Sequence, residues 1–125
     1  MKRLSVIVNP ISGRSSKSTI VSTIRTYIDK DKYDVTIHYT EYAGHAVVLA
    51  EKAVNEGVDV VVAVGGDGTV NEVARVLVNK DTALGIIPCG SGNGLARHLH
   101  IPMNVRKAVD IINAGVTDHI DTMRV

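Results

Sequence analysis

The run Val-Val-Val-Ala-Val-Gly-Gly-Asp-Gly-Thr-Val-Asn-Glu at residues 60–72 holds the groups best suited to chemistry. An apolar stretch with the character of a buried strand breaks at Gly65-Gly66. Asp67 follows, and Gly68-Thr69 lead into a helical pattern. A glycine-rich turn between a buried strand and a helix start is where α/β proteins hold phosphate. Glycine lets backbone N–H groups approach the anion, and the helix dipole adds about half a positive charge. A carboxylate in such a loop repels phosphate. Asp67 therefore suits a divalent metal, or a hydroxyl that must lose its proton during phosphoryl transfer. That chemistry is a kinase's rather than a passive nucleotide binder's. The alternative is a plain strand-to-helix turn capped by Asp67 or Thr69.

The elements that must position this loop follow from the apolar spacing. Leu4–Val8 is a short strand ending at the turn Asn9-Pro10. Ile20, Ile24, Tyr27 and Ile28 recur at helical spacing, which predicts a helix from about Ser18 to Asp29. Val35, Ile37 and Tyr39 alternate with polar residues as in a second strand. Ala46 to Val54 suits a second helix that stops before Gly57. Val58–Val64 is a third, fully buried strand. Val70, Val73, Ala74 and Leu77 give a third helix to about Val78. Leu84–Ile87 is a fourth strand. A short helix is expected over Gly92–Leu99, and a last one runs from an N-cap at Asn104 to Ala114, with Gly115 closing it.

Alternating strands and helices imply a doubly wound parallel α/β sheet with right-handed crossovers. Ligands of such sheets sit beyond the carboxyl ends of the strands. Four loops should converge there: Asn9–Lys17, Thr40–His45, Gly65–Asn71 and Cys89–Asn93. The common phosphate signatures are not met. The dinucleotide fingerprint has Asn71 where its last glycine belongs, and Gly13–Ser18 lacks the second glycine of a Walker A loop.

Composition narrows the class. The chain has 125 residues, enough for one domain. A net charge of +1 gives no electrostatic case for nucleic acid, and aromatic residues are 3%, all tyrosine. Without Phe or Trp, there is no stacking platform for a single strand. One cysteine, Cys89, excludes an internal disulfide and fits a reducing, cytoplasmic compartment. No apolar run reaches the roughly 18 residues of a membrane span, and Leu4–Val8 is too short for a signal-peptide core.

Four motifs, in order, resemble the diacylglycerol kinase catalytic domain with its sphingosine kinase and bacterial lipid kinase relatives. They are Asn9-Pro10-Ile11-Ser12-Gly13, Thr40 with Gly44-His45-Ala46, residues 65–72, and Pro88-Cys89-Gly90-Ser91-Gly92-Asn93. The resemblance covers nearly the whole chain and implies more distant kinship with NAD kinase and 6-phosphofructokinase. It implies an ATP site and transfer of the γ-phosphoryl group to a lipid hydroxyl with Mg²⁺. Carried over residue by residue, it assigns the nucleotide to Asn9, Pro10, Ser12, Gly13, Thr40, Gly65, Gly66, Gly68, Thr69, Asn71, Glu72 and Ser91. Asp67 becomes the chemical centre. No metal ligand is assigned in this chain.

Two departures bear on the lipid. Gly94 stands where many bacterial members have Asp, and Ser91 replaces their usual Thr, as in the sphingosine kinase version. The family also carries a second, β-rich domain that closes the cleft and contributes metal-linked acids. Residues 1–117 then form the nucleotide-binding domain, and residues 118–125 begin the link to a domain absent from this chain. This fragment alone is expected to be inactive and to self-associate, with a homo-oligomer left open. The lipid would be met at a membrane surface, with the protein cytoplasmic or peripheral. Rival readings are a soluble-substrate kinase of NAD kinase type and a non-catalytic nucleotide-binding module.

Several residues keep two readings. Asn71 and Glu72 fall in the expected first turn of the third helix, where a capping role competes with ligand contact. His45 is a phosphate contact or a helix cap. Asn9 either bonds nucleotide or holds its own turn. Arg97 suits a solvated helix face, Cys89 is a packing residue, and His98 with His100 do not make a metal site.

Overall fold

A computed structural model describes residues 1–10, 17–88 and 105–115. Four strands, β1 (Lys2–Val8), β2 (Tyr33–Tyr39), β3 (Val60–Gly65) and β4 (Ala83–Pro88), alternate with helices α1 (Lys17–Tyr27), α2 (His45–Asn55) and α3 (Asp67–Leu77). A last helix, α4 (Val105–Asn113), follows. The strands are all parallel, in the order β2-β1-β3-β4. The expected α/β fold is therefore present.

The two-residue period of the strands sorts the core into two layers. Leu4, Val6 and Val8 of β1 and Val60, Val62 and Val64 of β3 share one core with Ile20, Ile24, Val109 and Ile112. Ile7, Val61 and Ala63 share the other with Ala46, Ala50, Val70, Val73 and Leu77. Helices α1 and α4 thus cover one face, and α2 and α3 the other. β3 is buried along its whole length, as its unbroken apolar run requires. The direction of winding reverses between β1 and β3, since β1 feeds α1 on one face and β3 feeds α3 on the other. A crevice at the carboxyl ends follows from that reversal.

One boundary departs from the sequence pattern in a way that matters for function. Apolar spacing begins the third helix near Val70, but α3 starts at Asp67. Its N-cap, Gly66, is extended and offers no side-chain cap. The backbone of Gly66 accepts from the Val70 N–H at 3.1 Å, so the first turn closes without an apolar residue. Asn71 and Glu72 consequently lie in the second turn. The cap expected of Asp67 or Thr69 is corrected too, because the cap position belongs to Gly66. The expected helix at 92–99 lies outside the described residues.

The C-terminal helix is fastened by polar contacts. The Tyr33 hydroxyl donates to the Ile112 carbonyl at 2.8 Å in a buried position. Asn113 accepts from the Asp29 N–H and donates to the Tyr27 carbonyl, both at 2.8 Å. Gly85 leaves room for α4: a Cβ there would lie 3.1 Å from Val62 and 3.4 Å from Ile112. Burial first, and the Asp29 carboxylate second, push the Tyr33 phenol above its usual value of 10.0. A raised value means that the neutral phenol is favoured by folding. Its contribution is complete below pH 10 and fades as pH rises through the folded value. Tyr33→Phe should cost about 1 kcal/mol at neutral pH and flatten the alkaline loss of stability. Urea titrations at neutral pH and above pH 10 check both parts, and an unchanged alkaline slope would remove Tyr33 as its source.

Candidate functional site

Asn9 and Pro10 of the first predicted loop meet the Thr40–His45 and Gly65–Asn71 loops beyond the carboxyl ends of β1, β2 and β3; residues 11–16 and the fourth loop, Cys89–Asn93, lie outside the described residues. The backbone brings them together. The Asn9 N–H donates to the Val64 carbonyl at 3.0 Å, extending the β1–β3 ladder past Val8. The Thr40 N–H donates to the Val8 carbonyl at 2.8 Å, drawing the end of β2 onto β1. The Asn9 side-chain amide then donates to the Thr69 hydroxyl at 3.2 Å. That bond spans the switch point, tying the first strand's exit to the first turn of α3. It serves Asn9's loop-holding role.

A cleft of about 370 Å³ opens at this junction. Of the predicted residues, Asn9, Pro10, Thr40, Gly68, Thr69 and Glu72 line it. Gly68 and Glu72 are four apart on α3 and so share the face turned to the cleft. Gly65 does not line it; it is the last residue of β3 and pairs with Pro88 in the ladder. Gly66 is the N-cap residue, and Asp67 is exposed in the first helical position. Asn71 is half-buried and away from the lining. Ser12, Gly13 and Ser91 lie outside the described residues.

The glycines of this loop differ from glycines that the fold itself requires. Gly44 has φ +87, a left-handed conformation that side chains disfavour. Gly66 and Gly68 are not left-handed, and a Cβ built on either meets none of the described residues within 4 Å. Neither backbone strain nor packing among the described residues explains them. The space beside them is what a close-approaching anion would fill. Helix α2 also starts at the cleft, from Gly44, and neither α2 nor α3 has a side-chain cap. Two helix N-termini therefore bias the potential towards an anion. Glu41 and Glu72 line the same cleft. Their carboxylates repel phosphate and suit hydroxyl or amino donors, so the cleft offers acceptor groups as well as two helix N-termini.

Of the two roles predicted for His45, the structure corrects the helix cap, since the cap position belongs to Gly44. His45 is the first residue of α2, and its Nδ1 accepts from the Glu41 N–H at 2.9 Å. That bond braces the loop before the helix and leaves the helix start uncapped by a side chain. Sequence reasoning named the Thr40–His45 loop and the motif Gly44-His45-Ala46 but did not single out Glu41, Tyr42 or Ala43, which also line the cleft. The available signal was a tyrosine among Gly, Ala and Thr, outside any helical or strand period, in a chain with only 3% aromatics. Among the described residues no group of three or more His, Cys, Asp or Glu is arranged to hold a metal ion. No described helix is long and apolar enough to cross a membrane.

Comparison with known proteins bears on this geometry. Residues 3–125 match the diacylglycerol kinase catalytic domain. The chain is 37% identical over 122 residues to the diacylglycerol kinase of Staphylococcus aureus strain RF122, an alignment covering 96% of this chain and 39% of that protein. The same figures hold for the enzyme of strain MRSA252. A crystal structure of a diacylglycerol kinase from Bacillus anthracis strain Sterne superposes with a TM-score of 0.77 at 28% identity. That match covers 91% of this chain and 42% of the solved one. The chain thus spans about two-fifths of the length of these relatives.

Proposed function

The chain belongs to the diacylglycerol kinase catalytic domain family, and from that premise we propose that it is the nucleotide-binding part of an ATP-dependent lipid kinase. The observation that carries this reading is the pair Gly66 and Gly68. Gly68 lines the cleft at the start of α3, Gly66 caps that helix beside it, and a Cβ on either meets none of the described residues within 4 Å. Asn9, Thr40 and Thr69 supply polar groups beside them.

In the proposed reaction a lipid hydroxyl attacks the γ-phosphorus in line. An O–P bond forms to the lipid oxygen, and the bond from the γ-phosphorus to the bridging oxygen breaks, releasing ADP. The hydroxyl proton passes to Asp67, whose exposed position at the start of α3, next to the cleft-lining Gly68, suits a substrate arriving from outside. Mg²⁺ bound with the nucleotide would neutralise charge on the phosphates. Its ligands would come mainly from a second, β-rich domain of the intact protein. The lipid is diacylglycerol- or sphingosine-like, presented at a membrane surface.

The test is phosphotransfer by the intact gene product, with ATP and Mg²⁺, to diacylglycerol and sphingosine in mixed micelles, and to NAD in solution. Lipid-dependent ADP release is the expected result. Phosphorylation of NAD alone would favour the soluble-substrate reading. Nucleotide binding without transfer to any acceptor would favour a non-catalytic module.

A further inference from the structure

We infer that Tyr42 is the stacking platform for the nucleobase, and that it gives this site a preference for purine nucleotides. The inference rests on the nucleotide reading of the cleft and deepens it. Tyr42 lines the cleft and, at 59%, is the most exposed of the four tyrosines, which are the only aromatic residues besides histidine in a chain without Phe or Trp. Exposure alone would leave the ring free to rotate. Here it is held. The His45 imidazole stacks on it with ring centroids 4.4 Å apart and planes 13° apart. His45 itself is fixed by the Glu41 N–H at its Nδ1 and by donation of its own N–H to the Tyr42 carbonyl at 3.1 Å.

His45 is not part of the cleft lining, whereas Tyr42 is. The imidazole therefore covers one face of the phenol ring and leaves the other for a ligand. A backed ring loses little freedom when a flat group settles on it, so its stacking energy is not spent on ordering. A purine offers more π surface than a pyrimidine and gains more from such a platform. The arrangement also fits the polarity of the cleft. Gly68 and Thr69, in the first turn of α3, would take the phosphates. Tyr42 comes from the loop after β2, so base and phosphates would be held by different elements. The acceptor groups of Glu41 and Glu72, which line the same cleft, suit the ribose hydroxyls or an exocyclic amino group.

The experiment compares binding of ATP, CTP and inorganic tripolyphosphate by the intact gene product as wild type, Tyr42→Ala and Tyr42→Phe. Loss of the platform should weaken ATP by about tenfold or more, the range seen when a stacking aromatic is removed. Tripolyphosphate, which has no base, should bind the Ala variant as it binds wild type. The preference for ATP over CTP should collapse in that variant and survive in Tyr42→Phe. If wild type binds ATP tightly and Tyr42→Ala binds it equally well, the platform is wrong and the nucleotide site stands. Equal weakening of ATP and tripolyphosphate would mean that Tyr42 only shapes the loop, which also overturns the inference. If wild type binds neither compound, the nucleotide reading itself fails and takes the platform with it.

Discussion

Asp67→Asn should lower the turnover of the intact protein by about 10²-fold or more, the low end of what loss of a general base costs. The substitution keeps the shape of the side chain and removes its charge and basicity. Asp67 is exposed in the first turn of α3, so packing has little to lose. A carboxylate at a helix N-terminus is favoured by the dipole, but by under about 1 kcal/mol at an exposed site. Stability should therefore fall only slightly. ATP affinity should change much less than turnover, because losing the carboxylate also relieves repulsion with phosphate. The pattern to look for is a large drop in kcat with a nearly constant nucleotide Kd. Near-normal turnover would leave Asp67 as a helix-start residue and move the chemistry elsewhere.

Gly68→Ala should weaken nucleotide binding by about tenfold or more while leaving the melting temperature unchanged or higher. The two halves have separate causes. In the free protein a Cβ at Gly68 meets nothing within 4 Å, and the residue is in α3 without a left-handed φ. Alanine is preferred to glycine inside a helix by about 1 kcal/mol, with less to gain in the first turn. None of the described residues opposes the added methyl. In the complex, that methyl would stand where the anion approaches the backbone, and crowding of this kind costs about 1–3 kcal/mol. Isothermal titration with ATP and thermal unfolding of the same variant separate the effects. Gly85→Ala is the contrasting control. Its Cβ would press on Val62 and Ile112, so it should lower stability instead. A Gly68→Ala protein that melts earlier and binds ATP normally would assign Gly68 to the fold.

Much of this arrangement is written locally along the chain. Short apolar runs marked β3 and β1, alternation marked β2, helical spacing marked α1 and α2, and the cap residues Asn104 and Gly115 marked α4, each to within a few residues. These patterns survive folding because burial rewards the same residues that create them. Glycine and polar residues after each strand identified the loops that would carry function, since parallel strands send those loops to one end. The start of α3 was not legible, because a helix that begins on an uncapped glycine has no apolar signal in its first turn. Nor was the division of labour among the glycines. Gly66 and Gly68 look like Gly44 and Gly85 in sequence. Only the conformation of one and the neighbours of the other separate them. Tyr42 shows the same limit most plainly. It belongs to no period, and its place in the cleft depends on β2 pairing with β1, on the left-handed turn at Gly44 and on the His45 ring behind it. The chain alone determined which residue types stand at the ends of the strands. The strand order β2-β1-β3-β4 decided which of them face one another, because that order is a contest among long-range pairings that no local stretch encodes.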